Sequence, residues 1–160
     1  MRRNALLASV LGASLLLGTA GAVAADQPGT YVLDVFFCAL TDIDGNPVDG
    51  NAVPAGSEIL LFEGWAAKSR GQVQGFVNNG TWVLIVDGQG VDVTPYLSGV
   101  IDVGFIAFDA FTVSAGTLAA DQTLHTTYDL VLKSASFDGF GHYAKGSLYD
   151  GGINCTVTAA

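Results

Sequence analysis

Apolar and polar residues alternate along much of this 160-residue chain, the period-2 pattern of half-buried strands. The alternation is cleanest over 122–134, where Leu124, Tyr128, Leu130 and Leu132 share one parity and His125, Thr127, Asp129 and Lys133 the other. Residues 30–39 are apolar on both parities apart from Asp34, which predicts a central strand covered on both faces. Residues 58–65 predict a second strand. Over 100–113, Ile101, Val103, Phe105, Ala107 and Phe111 share a parity that Asp109 interrupts; Ile106 and Phe108 fall on the other side, so a bulge or bend is expected at Gly104. Further strands are expected over 142–149 and 153–158. Turn formers fill 41–56, 87–90, 117–121 and 137–141, and Thr94-Pro95 predicts a single helical turn.

The strongest local signal lies over 72–86. Two β-rich runs meet at Asn79-Gly80, the dipeptide that best tolerates the positive φ angles of a type I′ turn. A hairpin there sets Val77 opposite Trp82, Gly75 opposite Leu84 and Val73 opposite Val86. Val73, Val77, Trp82, Leu84 and Val86 then form the core side, with Gln72, Gln74, Phe76, Val83 and Ile85 on the other. About eight strands with no convincing helix predict an all-β fold, an antiparallel β-sandwich.

Residues 1–25 are not expected to belong to that fold. Met1-Arg2-Arg3 is a basic head, 5–17 is a short apolar run, and Ala22-Val23-Ala24-Ala25 supplies the small residues of a cleavage site, so the segment reads as a cleavable signal peptide. A single secreted or periplasmic domain over 26–160 follows, with no membrane span in the mature chain. Its 15 acidic residues face four cations, Lys68, Arg70, Lys133 and Lys145, an excess of eleven negative charges. Such a field repels phosphate backbones and argues against nucleic acid as a partner. In an oxidising compartment the two cysteines, Cys38 and Cys155, are expected to form a disulfide; no Cys-x-x-Cys spacing or local cation suggests redox chemistry.

Asp42-Ile43-Asp44-Gly45-Asn46-Pro47-Val48 resembles a loop common in bacterial extracellular Ig-like modules, and Ser114-Ala115-Gly116-Thr117-Leu118 followed by the Tyr128 strand is similar to their later strands. The resemblance implies an Ig-like sandwich and an outward-facing role. It carries over no functional residue. A first-to-last cystine would stand in place of the usual inter-sheet bridge.

Candidate chemistry is sparse. Asp42, Asp44, Asn46 and Asp49 place oxygen ligands at alternate positions, the arrangement that suits Ca²⁺. Pro47 sits where a helix-loop-helix calcium loop needs glycine, and Val53 where it needs its bidentate Glu, so a solvated turn is the stronger reading and no other cofactor is expected. His142, Asp138, Ser147 and Asp150 could supply a nucleophile, base and orienter, but there is no Gly-x-Ser-x-Gly elbow, and His142 and Ser147 have opposite parity. Glu58 and Glu63 also have opposite parity, so they would flank one glycosidic bond only if a bulge intervened, although either could pair with an Asp from another strand. Trp65, Lys68, Arg70, Gln72 and Gln74 form the best surface candidate, with an aromatic, two cations and two amides suited to a glycan or an acidic protein partner.

The composition therefore favours a non-enzymatic extracellular binding module. Two alternatives remain open: a small secreted hydrolase using carboxylates from different strands, and a β-barrel carrier of an apolar ligand suggested by the Phe-rich 105–111 segment. A buried, convergent group of titratable residues in a cleft would favour the enzyme, and a closed sheet with an empty interior the carrier.

Overall fold

The computed structural model describes residues 27–160; the expected signal peptide lies outside them. Strands make up 51% of the described residues and helix 12%, so the class is β with one substantial helical insertion. One sheet has the order β2 (Ala39–Asp42), β1 (Thr30–Asp34), β4 (Glu58–Ala67), β8 (Ala107–Thr117), β7 (Ile101–Asp102). The other has the order β3 (Ala52–Val53), β13 (Ile153–Ala159), β9 (Thr123–Leu132), β5 (Gly80–Val86), β6 (Gln89–Val91), with β12 (Gly146–Ser147) added along the far end of β9. A separate ribbon pairs β10 (Ser136–Phe137) with β11 (His142–Tyr143). Neither sheet closes on itself, as a ligand-carrying barrel would require.

The two sheets pack against each other through the expected alternation. In β4, Ile59, Leu61, Glu63, Trp65 and Ala67 are all buried, and in β9 Leu124, Thr126, Tyr128, Leu130 and Leu132 meet them. Phe111 is buried in this core while Phe105 is 80% exposed: Gly104, at φ 91°, turns the chain between β7 and β8, as its position in the aromatic run predicts. Thr94–Tyr96 forms the expected helical turn.

Three expectations are corrected. The sheets are not purely antiparallel, because β1 runs parallel to β4 and β3 parallel to β13. The central strand over 30–39 is broken. The Asp34 carboxylate accepts N–H bonds from Phe36 (3.0 Å) and Phe37 (2.8 Å), and Cys38 adopts φ 52°, so the chain folds back antiparallel as β2.

The largest correction is the hairpin at 72–86. Its first arm is α1, an α-helix over Arg70–Asn79, and only its second arm is a strand. Gly80 sits at φ −88°, so there is no type I′ turn. Two physical reasons favour the helix. Ser69-x-x-Gln72 is a capping box: Ser69 Oγ accepts the Gln72 N–H (3.4 Å) and donates to Gln72 Oε1 (2.9 Å). Val73 and Phe76, three apart, bury one helical face, and the ladder partner that the hairpin would have given Trp82 and Leu84 comes instead from Leu130 and Tyr128 of β9.

The Cys38–Cys155 disulfide forms as expected, 117 residues apart, and ties the turn after β1 to β13 across the two sheets. Replacing both cysteines by serine is expected to lower the unfolding free energy by up to about 5 kcal/mol, read from the urea midpoint. Ser69→Ala is expected to cost about 1 kcal/mol by the same measurement; a hairpin over 72–86 would leave that variant unchanged.

Candidate functional site

The crossing from β4 to β5 carries α1 from one sheet to the other, and its placement creates a groove at that end of the molecule. Phe76 stacks flat on Trp65 (centroids 4.0 Å apart, interplanar angle 6°), and both rings meet the edge of Tyr143 at 5.2–5.3 Å. This aromatic trio, with Trp65 and Phe76 buried and Tyr143 half-buried, fixes the rotation of the helix. Val73 packs against Ala67 and Ala107 on the same side.

The helix C-terminus is clamped to the chain leaving β9. Asn79 Nδ2 donates to the Ser134 carbonyl (2.8 Å), and its Oδ1 accepts from Ser134 N (3.0 Å) and Oγ (2.9 Å). Lys133 supplies the end of the helix with two donors, its backbone N to Asn79 O (2.9 Å) and its Nζ to Asn78 O (3.2 Å), the interaction that a helix C-terminus favours. Asn79 is thus occupied by structure.

The opposite wall is the β10–β11 ribbon. Asp138 is 2% exposed and folds the ribbon tip: its Oδ1 accepts the N–H groups of Phe140 and Gly141 and its Oδ2 the Tyr143 hydroxyl, all at 2.8 Å. The Lys68 N–H donates to the Asp138 carbonyl (2.9 Å), binding the tip to the end of β4. Gly139 is required there, since it lies at φ 93° and a Cβ would stand 2.6 Å from Lys68 Cβ.

Between these walls runs a shallow, open groove of about 510 Å³. Gln72, Asn78, Ser134 and Ser136 offer amides and hydroxyls, and Phe137, backed by the His142 ring at 4.5 Å, offers an exposed aromatic face. Gly71 and Gly75 form part of the floor. A Cβ at either would meet nothing within 4 Å, so packing does not demand glycine. Gly75, inside the helix, costs it about 1 kcal/mol relative to alanine, and what that loss leaves behind is a bare floor. No lining residue carries an acid or a base.

The residues expected from sequence distribute unevenly around this groove. Gln72 lines it. Lys68 and Arg70 are exposed near its N-terminal end. Gln74 is exposed and donates to Asn78 Oδ1 (3.2 Å). Trp65 is buried at 8% exposure, a correction to its reading as a surface aromatic: as an odd-numbered residue of β4 it must face inward. Phe137 takes the part expected of it, and its signal in sequence was only a Gly-rich context.

The other candidate groups do not assemble. Asp42 accepts N–H bonds from Asp44 (3.0 Å) and Asn46 (2.8 Å), and its second oxygen accepts from Asn46 Nδ2 (2.8 Å). The loop thus turns its own carboxylate inward, while Asp44 and Asp49 stay exposed. Among the described residues, no three or more His, Cys, Asp or Glu side chains gather as a metal site. Ser147 Oγ donates to the Tyr149 carbonyl (3.0 Å), Asp138 is engaged as above, and His142 stacks on Phe137, so no triad forms.

Carboxylates from different strands do meet, a buried Glu63 with a half-buried Asp34. Glu63 of β4 is 6% exposed and hydrogen-bonded to Asp34 at the end of β1, beside Tyr128 and Tyr149. Burial, and then the neighbouring Asp34 charge, pushes the Glu63 carboxyl well above its ordinary range. Burial raises Asp34 too, against the pull of its Phe37 and Phe36 N–H bonds. The groove lining contains neither residue. The pair is therefore a buried proton store in the fold, separate from the groove.

That store sets a pH dependence. Both folded pKa values are raised, so the native state keeps protons that the unfolded chain releases near 3.8 (Asp) and 4.5 (Glu). Stability from this pair is complete below those values and is lost as pH rises through the folded pKa values. Asp42, held low first by the Asn46 amide, contributes in the opposite sense, and its exposure keeps that contribution small. Melting temperature is expected to fall as pH rises above 4.5, and Glu63→Gln to flatten that fall while raising the melting point on its high-pH side. A Glu63→Gln slope equal to the parent's would assign the dependence elsewhere.

No protein-family model, curated protein or solved structure matches the chain, so the chemistry of the groove itself must indicate what it binds.

Proposed function

We propose that this protein is a secreted, non-enzymatic β-sandwich binding module, Ig-like in its general build, and that it holds a glycan in the groove between α1 and the β10–β11 ribbon. The observation that carries the reading is the pair of helix glycines, Gly71 and Gly75, which packing does not require, Gly75 also lowering helix stability. A position that costs stability without a packing reason is where function is expected. Amides and hydroxyls at fixed positions suit a ligand rich in hydroxyl groups, and the open Phe137 face suits the apolar side of a sugar ring. The groove has no titratable group for proton transfer, which favours binding over hydrolysis. Among the described residues the Asp34–Glu63 carboxyl pair, with Glu63 buried and Asp34 half-buried, stands outside the groove lining.

Gly75→Leu is expected to leave the fold intact, with a melting point at or above the parent's, while abolishing glycan binding on an array or in calorimetric titration. Phe137→Ala is expected to weaken binding by about tenfold. Full retention of binding by Gly75→Leu, or no glycan bound by the parent, would retire the reading.

A further inference from the structure

The four cations of the described chain, set against 14 acidic residues there, are not scattered over the surface. Lys68 and Arg70 precede Gly71 at one end of the groove, and Lys133 precedes Ser134 at the other. Lys145 joins Lys133: the β9–β12 register pairs Leu132 with Gly146, so continuing the antiparallel register by one step sets Lys133 beside Lys145. All four are exposed. Their contacts are neutral. Arg70 Nη1 donates to the Val100 carbonyl (3.1 Å) and Lys133 Nζ to the Asn78 carbonyl (3.2 Å), while Lys68 Nζ lies 5.7 Å over the Phe140 ring. In so acidic a protein, Lys68, Arg70 and Lys133 make these contacts without a carboxylate and stand, with Lys145, near the two ends of a groove lined by no acid. The Asp138 carboxylate in the ribbon wall is taken up by its Phe140, Gly141 and Tyr143 bonds.

From this arrangement we infer that the ligand of the groove is an acidic glycan, an oligosaccharide carrying carboxylates on its sugar rings. The inference rests on the glycan reading above and adds the charge. The ten residues of α1 separate the two cation pairs by about 15 Å, so a chain of several sugars engages both ends where a monosaccharide reaches one. Screening at physiological salt limits the reach of the distant acidic surface to about 8 Å, which leaves the near cations to decide the local sign. Nucleic acid fits poorly. Duplex DNA carries one charge per about 1.7 Å of axis, and its length would carry most of that charge off the patch onto acidic surface. A short uronate chain places its carboxylates at the two cation pairs and its hydroxyls along Gln72, Asn78 and Ser136.

The test is calorimetric titration of the processed, secreted protein with a panel of uronate oligosaccharides and their methyl esters, which keep the sugar backbone and remove the charge. The acid form of at least one panel member is expected to bind about tenfold tighter than its ester, with the gap closing between 50 mM and 300 mM NaCl. Lys145→Ala and Arg70→Ala, checked by melting point because neither side chain caps the helix, are each expected to narrow the gap several-fold. Esters binding as tightly as acids, with Gly75→Leu still abolishing both, would overturn the charge inference and leave the glycan groove standing. Binding of neither form, together with no neutral glycan bound, would remove both. Equal competition by a single-stranded oligonucleotide of matched charge would overturn the inference in favour of a generic polyanion site.

Discussion

Every part of this fold is built outward from β4, which must place each second side chain against the opposite sheet for ten residues. Its inward positions run from aliphatic through acidic to aromatic: Ile59 and Leu61, then Glu63, then Trp65. The aliphatic part needs only partners of the right volume, which Phe111, Val113 and the β9 side chains supply. The acidic part can be buried only by holding a proton and a hydrogen-bond partner, and Asp34 provides the latter from the neighbouring parallel strand. The aromatic part needs a flat cover. Phe76 is that cover, so the helix that carries it is held at one end of the sheets.

The same constraint explains why acid chemistry and binding chemistry are separated. The carboxyl pair sits where β1 meets β4, with Glu63 buried and Asp34 half-buried, and desolvation raises both pKa values away from the groove. The groove lies beyond Trp65, where the helix and the β10–β11 ribbon are joined by side-chain and backbone hydrogen bonds: Asn79 to Ser134, Lys68 to the Asp138 carbonyl. These clamps use structural amides and carbonyls, and they leave Gln72, Asn78, Ser136 and Phe137 as the groove's polar and aromatic surface. Cations stand near its ends, and no acid lines it.

Much of the β architecture was legible in the residues. The β9 alternation places Leu124, Tyr128, Leu130 and Leu132 in the core as its pattern requires, and the bend at Gly104 and the turn at Thr94-Pro95 occur where local sterics demand them. The helix over Arg70–Asn79 was misread because Gln72-Val73-Gln74 and Phe76-Val77 fit an alternation almost as well as a helical stripe, and Asn79-Gly80 suits a helix end as well as a hairpin turn. The Ser69-x-x-Gln72 capping box was the local signal that separated the two.

Period and composition determined by themselves that this chain would bury alternate side chains in packed sheets and close its two cysteines, because backbone geometry and thiol chemistry act residue by residue. Tertiary structure alone decided that Glu63 would find Asp34, that Trp65 would lie beneath a helix, and that the chain leaving β9 would line one groove with that helix. Those outcomes depend on which strands become neighbours. That choice follows from how the two sheets share a core, and no local window of residues contains it.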